Sequence, residues 1–447
     1  MKSAAALAIL GGEPAVRTPE GRRPGLSPEA DRAARGLLHQ ARRDPDALAD
    51  LGGGGVVRAF EEAFACQVDA DHAVSTASGT SALVAALLAC GVRPGDDVVV
   101  STYGWGGTAG AVLVIGATPV FVDIKPMTFN VDPAVVRRAL TPHTRAILAT
   151  HLFGHPADVA GLSEVARRHG VALVFDAAQA LGASYAGQKL GGCGDVTVFS
   201  FGRGKLLTTG EGGMAVTNDP ELYERLVLVS QHPVRALWEV EDPGLRDLVD
   251  EVSLSCRIPT LAAAIGLADI PRLEALLETR RRACLALGQV LRDVPGFRPC
   301  VEAGPVTHAF HLFALTYVPE ELDGLPRELA VTALRAEGVP VAVGPVRTPI
   351  HLRPRFRAGA ADLGFRAPLK AGRPAALAAP VAGRRCATEE LVLESSSGWT
   401  AFPEARIREL AVAFEKVAAN QHRLGRAAPA IGADLAVADR AGSTPRD

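Results

Sequence analysis

The chain has 447 residues, of which 48% are hydrophobic and 21% are charged, and its net charge at pH 7 is −2. A chain of this length exceeds the size at which one hydrophobic core stops growing, so we expect two packed domains. The nearly neutral charge gives no general attraction to nucleic acid or acidic lipid, which argues against polyanion binding as the main function.

Cysteine spacing and the length of the apolar runs indicate where the protein works. The 7 cysteines are scattered without a CxxC pair or histidines at zinc spacing, so no metal site is predicted. The first residues, MKSAAALAIL, have a short apolar run without a small-residue cleavage pattern, and no other stretch reaches the ~18 apolar residues of a membrane helix. We expect a cytoplasmic protein with no membrane and no nucleic-acid partner.

An N-terminal arm, residues 1–54, precedes a region in which helical and strand patterns alternate, as in a sheet covered by crossover helices. Nearly continuous apolar runs predict strands buried on both faces, at 98–100, 118–122, 146–149, 172–175 and 196–199. The sequence therefore predicts an α/β protein with a mostly parallel sheet.

The change of domain is expected at residues 262–291, which have the pattern of one long amphipathic helix. This divides the chain into a large domain, residues 1–262, and a small C-terminal domain, residues 263–420. The small domain shows strand patterns at 311–317 and 339–343 and a closing helix at 404–417. Residues 421–447 are rich in Ala, Arg, Gly and Asp with little to bury, which predicts a disordered tail.

The segment FSFGRGKLLTTGEGG, residues 199–213, places Lys205 just beyond a predicted strand, among Gly, Ser and Thr residues. An amine there can reach a carbonyl, while backbone and hydroxyl groups can approach a phosphate. A nucleotide phosphate loop would require Gly at position 199 and Ser or Thr at position 206. Those positions are Phe199 and Leu206, which excludes that alternative.

Upstream, VFDAAQALGA places Asp176 at the carboxyl end of a predicted strand and Gln179 three residues later. Pyridoxal 5′-phosphate (PLP) needs a carboxylate at its ring nitrogen, because the protonated ring withdraws electrons from the substrate carbon. A lone Asp in this context would more simply cap a helix. Its combination with Lys205 favours the cofactor role.

A strand, a small-residue turn and a helix are predicted within STASGTSALVAALLACG, residues 75–91. Such a turn directs free N–H groups and the positive end of a helix dipole at an anion, so Gly79 and Thr80 are candidates for a phosphate site.

The next turn offers an alternative function. Residues 104–109 fit the pattern GxGxxA, and Asp123 ends the following strand, as in a dinucleotide-binding unit. Trp105 argues against it, because an indole would stand where a pyrophosphate should approach bare backbone. A flat aromatic side chain there suits stacking on a pyridine ring.

Seven motifs occur in the order of one known family: SGTSAL, GATPVFVDI, TPHTRAI, HLFGHPADV, DAAQALGA, FSF-x-x-x-K and TTGEGG. Over about residues 8–420 the chain resembles the DegT/DnrJ/EryC1/StrS aminotransferases. The resemblance implies the type I fold of PLP-dependent aminotransferases, with a mostly parallel seven-stranded sheet in the large domain and a smaller α+β C-terminal domain. It also implies a homodimer with shared active sites.

The resemblance further implies the reaction. An amino group would move from glutamate or glutamine to a keto-sugar or keto-cyclitol, in amino-sugar or antibiotic biosynthesis, with PLP passing through pyridoxamine 5′-phosphate. Family members that dehydrate instead commonly carry His in place of the lysine, so Lys205 favours transamination. Another PLP reaction on the same scaffold, and a non-catalytic PLP-binding regulator, stay open as alternatives.

Residue roles carried over from the family are cofactor contacts. Lys205 resembles the lysine that forms the Schiff base, Asp176 the partner of the ring nitrogen, Gln179 a neighbour of the ring hydroxyl and Trp105 the stacking aromatic. The positions that resemble the family's phosphate-binding positions are Gly79, Thr80 and Ser200.

One departure concerns the contact between subunits. Where the family usually has Asn two residues before an Arg, this chain has Ser255 before Arg257, and the Asn would reach the partner's phosphate. Serine retains a hydroxyl but has a shorter reach than asparagine toward that phosphate. The GKL around Lys205 is closer to the family branch that acts on cyclitol-like ketones, and residues 357–397 match the family's substrate loop poorly.

Four histidines are substrate candidates: His151, His155, His311 and His351. For His151 and His155, a packing or turn role is an equal alternative.

Overall fold

The computed structural model describes residues 6–21, 25–49, 51–250, 252–301, 304–356, 379–394 and 402–429. The strands in chain order are β1 (His72–Thr76), β2 (Asp97–Ser101), β3 (Thr118–Val122), β4 (Thr144–Thr150), β5 (Ala172–Asp176), β6 (Ser184–Tyr185), β7 (Gln188–Lys189), β8 (Val196–Ser200), β9 (Gly213–Thr217), β10 (Phe297–Pro299), β11 (Val306–Thr307), β12 (Phe313–Tyr317), β13 (Val341–Val343) and β14 (Glu390–Leu393).

The α-helices are α1 (Pro28–Gln40), α2 (Gly55–Val68), α3 (Gly79–Ala89), α4 (Gly106–Val114), α5 (Pro133–Ala139), α6 (Val159–His169), α7 (Pro220–Ser230), α8 (Pro233–Glu239), α9 (Pro243–Arg246), α10 (Thr260–Asp269), α11 (Leu273–Leu291), α12 (Arg327–Ala336), α13 (Pro380–Arg384) and α14 (Glu404–Ala419). Within the described ranges, no helix is both long and apolar enough to span a membrane.

A seven-stranded sheet with the order β1-β9-β8-β5-β4-β2-β3 forms the large domain. The pairs β8–β5, β5–β4, β4–β2 and β2–β3 are parallel, and β9 runs antiparallel to both β8 and β1. This confirms the predicted α/β fold with a mostly parallel sheet, and all five predicted strands are present. Strand β9 was not predicted, because it begins at Gly213 directly after a glycine-rich turn and so lacks a continuous apolar run.

The predicted single helix over residues 262–291 is wrong, because the structure breaks it into α10, a 3-10 turn (Ile270–Arg272) and α11. Pro271 has no N–H to donate and its ring clashes with the preceding turn, so a continuous helix is blocked there.

Two apolar cores divide α11. Its first turns contribute Leu273 and Leu277 to the core beneath the large sheet, while Leu287 and Leu291 belong to the core of the C-terminal part. That second core covers an antiparallel sheet with the order β10-β12-β14-β13. Residues 421–429 are helical, and Leu424 is fully buried in the second core.

The helical residues correct the prediction that the disordered tail begins at 421, because Leu424 provides the apolar anchor that the composition obscured. Residues 430–447 lie outside the described part of the chain.

A further apolar cluster joins the two parts. Tyr103, Phe129 and Phe153 from the large domain pack with Ala342 and Val392 from the small sheet. The small domain is thereby held beside the carboxyl ends of β2, β3 and β4, at the same sheet edge as the candidate site.

Candidate active site

The strands β4, β5 and β8 are parallel neighbours, so their carboxyl ends lie at one edge of the large sheet. Asp176 ends β5 and Ser200 ends β8 at this edge. Because side chains at the carboxyl edge of a parallel sheet converge on one crevice, this edge is the expected place for a ligand.

Asp176 is buried, with 4% of its surface exposed, and neutral donors hold its carboxylate. The Thr108 hydroxyl donates to Oδ2 at 2.7 Å, and the Ala178 N–H donates to Oδ1 at 3.1 Å. Residues 177–181 form turns rather than a helix, so Asp176 does not cap a helix. Neutral O–H and N–H donors thus orient both oxygens of the carboxylate.

Lys205 lies in the turn after β8, where its backbone N–H donates to the Gly202 carbonyl at 3.2 Å. Burial lowers the pKa of its amine, and the nearby negative charge of Asp176 partly opposes that shift. The amine and the Asp176 carboxylate are therefore within electrostatic reach of each other. A lowered pKa increases the neutral, nucleophilic fraction of the amine near pH 7.

Helix α3 begins at Gly79, with Ser78 as its N-cap, and Ser78 and Ser81 form a reciprocal capping box. Close backbone approach around this turn requires glycine. A Cβ at Gly79 would lie 2.9 Å from the Ser200 Cβ, and a Cβ at Gly213 would lie 2.6 Å from the Gly79 nitrogen. The N-terminus of α3 is thereby brought against the ends of β8 and β9, which makes a cradle suited to an anion.

Trp105 is the N-cap residue of α4 and is 73% exposed. A Cβ at Gly107 would lie 2.6 Å from the indole Nε1 and 3.1 Å from the Thr80 Oγ1. The indole and the Thr80 hydroxyl therefore gather above the first turn of α4, and Thr108 in the same turn contacts Asp176.

The dinucleotide alternative fails at Asp123. Its carboxylate accepts the backbone N–H groups of Val381 and Ala382, each at 2.9 Å, and that of Ile124. The acidic group that would have to bind a ribose is thus occupied by the small domain.

The side chain of Gln179 is fixed by its own turn region. Its Oε1 accepts the Phe153 N–H at 2.8 Å, which directs the amide NH₂ group away from Phe153. The orientation leaves the amide as a donor toward neighbouring groups.

His151 and His155 are both buried. The His151 ring stacks on Phe175 with centroids 4.5 Å apart, its Nδ1 accepts the Ala157 N–H, and burial lowers its pKa to about 3. The His155 Nδ1 donates to the Pro156 carbonyl at 2.7 Å, and its ring meets that of His308 edge-on. These contacts favour the packing alternative for both residues.

The other two histidine candidates lie where the small domain meets the sheet edge. The His311 nitrogen would be 2.9 Å from a Cβ at Gly154, so its segment packs against the turn after β4. The His351 Nδ1 is hydrogen-bonded to the Thr102 hydroxyl, and burial lowers the pKa of His351. Both are half-buried beside the cleft.

Ser255 is exposed, and its backbone has a left-handed φ of 45°. Asparagine is enriched in that conformation, so the backbone suits the residue that the family usually has there. The adjacent Cys256 carbonyl accepts the Ala77 N–H at 2.7 Å, which places Ser255 near the anion cradle of its own chain.

Thr108 is a site residue that the sequence analysis did not single out. Its place in the turn of residues 104–109 gave no signal of this role, and only the fold shows that it reaches Asp176. Within the described residues, no group of three or more His, Cys, Asp or Glu side chains could hold a metal ion.

The sequence profile of the DegT/DnrJ/EryC1/StrS aminotransferase family matches residues 49–368. An L-glutamine:2-deoxy-scyllo-inosose aminotransferase from Streptomyces kanamyceticus is 35% identical over 82% of this chain and 86% of its own. A UDP-N-acetyl-3-dehydro-alpha-D-glucosamine 3-aminotransferase from Acidithiobacillus ferrooxidans is 38% identical over 64% and 73%. Among solved structures, the aminotransferase from Psychrobacter cryohalolentis superposes with a TM-score of 0.75 at 25% identity, covering 90% of this chain and 100% of that one.

The fold and the site define an aminotransferase of the PLP-dependent type I architecture. The chain belongs to the DegT/DnrJ/EryC1/StrS aminotransferase family.

Proposed function

We propose that this enzyme transfers an amino group from glutamine or glutamate to the ketone carbon of a sugar or cyclitol, with PLP as cofactor. The observation that carries the proposal is the buried carboxylate of Asp176 within electrostatic reach of Lys205, an amine whose pKa burial lowers. Amine chemistry at a carbonyl requires a partly neutral amine, and this pair provides one.

The residues of the site fit PLP. The glycine-lined N-terminus of α3, with Gly79, Thr80 and Ser200, would hold the phosphate. Asp176 would hold the ring nitrogen, and Trp105 would cover one face of the ring. The amide NH₂ of Gln179 would donate to the ring hydroxyl, since its Oε1 is engaged by Phe153.

Lys205 has two tasks in the mechanism. Its amine would attach the cofactor covalently at rest, and once released it would act as a general base and acid. The bound cofactor supplies an electron sink, which makes the proton on the donor's α-carbon removable. The lowered pKa of Lys205 lets its amine accept that proton at Nζ and return it.

Asp176 assists by position. The Thr108 hydroxyl and the Ala178 N–H hold both carboxylate oxygens, so two hydrogen bonds fix the orientation of the carboxylate. A fixed anion would keep the ring nitrogen protonated throughout the reaction.

The substrates follow from the relatives, one of which uses L-glutamine and 2-deoxy-scyllo-inosose according to its name and another a UDP-linked 3-dehydro sugar. We propose the same class of ketone here, with a place in amino-sugar or antibiotic biosynthesis. Elimination or carbon–carbon chemistry on the same scaffold is the second candidate, because it would use the same cofactor contacts.

We also propose a homodimer in the cytoplasm. Large apolar side chains are exposed at the first turn of α4 and between residues 238 and 254: Trp105 at 73%, Trp238 at 71%, Leu248 at 58%, Val252 at 84% and Leu254 at 47%. Exposed apolar surface of this kind suits a second copy, which would bring Ser255 toward the partner's site. All 7 cysteines are free, which suits a reducing compartment.

The test uses the purified protein loaded with PLP. Glutamine or glutamate should bleach the yellow form, and a keto-cyclitol or keto-sugar should restore it with formation of the amine. Bleaching without recovery by any ketone would favour the second candidate. Absence of a bound, borohydride-trapped cofactor would reject the proposal.

A further inference from the structure

A cationic side chain, Arg353, lies at the edge of the site beside the first turn of α4 and is not among the proposed cofactor contacts. Arg353 follows the short turn Ile350–Leu352, which ties the small-domain side of the chain to the end of β2. The Ile350 N–H donates to the Thr102 carbonyl at 2.7 Å, and the His351 ring is hydrogen-bonded to the Thr102 hydroxyl. Arg353 therefore stands on an anchored turn.

The guanidinium of Arg353 lies against the first turn of α4. A Cβ at Gly106 would be 2.9 Å from its Nη1, which places the guanidinium directly beside the first turn of α4. Trp105 precedes this glycine, and Thr108, which holds Asp176, is two residues beyond it. One helical turn thus connects Arg353 to the centre of the site.

The charge of Arg353 is not neutralised within the described part of the chain, where no carboxylate lies at ion-pair distance from it. Its Nε donates to the Thr348 carbonyl at 3.2 Å. The N–H groups on the two Nη atoms are then the donors that can face a ligand. A cation against the N-terminus of a nine-residue helix is repelled by the helix dipole, and an anion between them would be attracted by both.

We propose that Arg353 recognises an anionic oxygen pair of the substrate, and this rests on the proposed function. The Nη edge of a guanidinium matches a carboxylate or a phosphate in a two-pronged hydrogen bond. Two sources carry that chemistry: the α-carboxylate of the amino donor, and the diphosphate of a nucleotide-linked acceptor. Arg353 is thus a specificity-determining residue.

The experiment separates the two sources by following the two half-reactions of the PLP-loaded enzyme. Arg353→Gln should raise the KM of the affected half-reaction by about 10- to 100-fold, with a smaller effect on kcat. A rise with glutamine assigns Arg353 to the donor carboxylate, and a rise only with the acceptor assigns it to the phosphate. Arg353→Lys should recover part of the loss, because it keeps the charge but not the fork.

Arg355→Gln is the matched control, since Arg355 is exposed two residues further along and should leave both half-reactions unchanged. Calorimetry with glutarate and with UDP gives a readout without turnover, so it decides even if the enzyme does not transaminate. Weaker binding of either probe to Arg353→Gln, with Arg355→Gln unchanged, supports the inference. The inference is overturned if Arg353→Gln binds glutarate and UDP as tightly as the wild type does and has the same KM values in both half-reactions.

Discussion

Two buried groups of charges in the large domain are built in opposite ways. Arg235, fully buried, donates to both oxygens of Glu61 at 3.0 and 2.8 Å and also pairs with Glu239. In the active site, by contrast, neutral donors hold both carboxylate oxygens of Asp176, and burial lowers the pKa of the Lys205 amine against the opposing charge of Asp176.

The difference shows what each group is for. Opposite charges in direct contact compensate each other's desolvation, which fixes a structure but leaves neither group reactive. The Arg235 network also fixes β1, because Glu61 accepts both the N–H and the hydroxyl of Ser75 at 2.7 Å. At Asp176 and Lys205, neutral donors orient the carboxylate and burial lowers the pKa of the amine, which suits cofactor binding and amine chemistry.

The largest expected effect comes from removing the reactive amine. Lys205→Ala should lower turnover by about 10⁴-fold or more and abolish the borohydride-trapped adduct, because no other group would replace the base. Its free energy of unfolding without cofactor should not fall, since the lowered pKa shows that the fold disfavours the charged amine. Turnover assays and urea denaturation test this.

Lys189→Ala is the control, since the Lys189 amine donates to the Gln67 carbonyl at 2.9 Å and pairs with Asp69 at 3.9 Å, away from the residues of the site. If Lys205→Ala kept the parent turnover, Lys205 would not be the catalytic lysine.

Breaking the compensated network should cost stability. Arg235→Ala leaves Glu61 buried without its cation, so the free energy of unfolding should fall by about 3–5 kcal/mol. Arg225→Ala on α7 removes only a partly exposed pair with Glu221 and should cost about 0.5 kcal/mol or less. Similar losses for the two variants in urea denaturation would contradict the contrast drawn between buried and exposed pairs.

A third buried acidic group, Glu390, combines nearby arginines with a raised pKa. It is fully buried on β14, facing the Tyr103 hydroxyl, Arg327 and Arg385, with Cys300 and Cys386 nearby. Burial raises its pKa from 4.5 to about 7, although the hydroxyl and the two arginines oppose the shift. The Glu390 carboxyl group packs directly against Gly344, because a Cβ at that glycine would lie 1.8 Å from the Glu390 Cδ.

The raised pKa predicts a pH dependence of stability. Below pH 4.5 the carboxyl is protonated in both states; between pH 4.5 and about 7 the unfolded chain loses its proton first, so this group's contribution to stability falls as pH rises. At 1.36 kcal/mol per pKa unit the full loss is about 3 kcal/mol, reached above pH 7. Glu390→Gln should therefore be more stable than the parent at pH 8 but not at pH 4.

The measurement is urea denaturation of both proteins from pH 4 to pH 8. Glu394→Gln, at the exposed end of the same segment, is the matched control and should follow the parent curve. A stability difference between Glu390→Gln and the parent that does not change with pH would show that Glu390 does not titrate as described.

The regions that the sequence predicted and those it did not differ in the range of their interactions. The strands from 98 to 199 carry their own signal, since each is apolar throughout. The association of Lys205 with Asp176 also follows from local motifs, because parallel strands end at one edge. The helix break at Pro271 was visible in the sequence but was outweighed by the regular apolar spacing.

Long-range contacts account for what the sequence did not show. Asp123 is occupied by backbone N–H groups from about 258 residues away, and no local pattern records that. Glu390 lies in a four-residue strand whose pairing, not its composition, makes it buried. The Thr108–Asp176 hydrogen bond spans 68 residues and depends on how α4 sits over β5.

The smallest expected effect comes from removing the Thr108 hydroxyl, the neutral donor to Asp176. Thr108→Val keeps the shape but removes the hydroxyl at 2.7 Å from Asp176, leaving Oδ2 without that donor. A lost hydrogen bond to a charged group should weaken PLP binding by about 10-fold and shift the pH titration of the cofactor's absorbance, because the ring nitrogen would be held less firmly. Thr108→Ser retains the donor and should restore both. Unchanged PLP affinity and titration in Thr108→Val would mean that Ala178 alone positions the carboxylate.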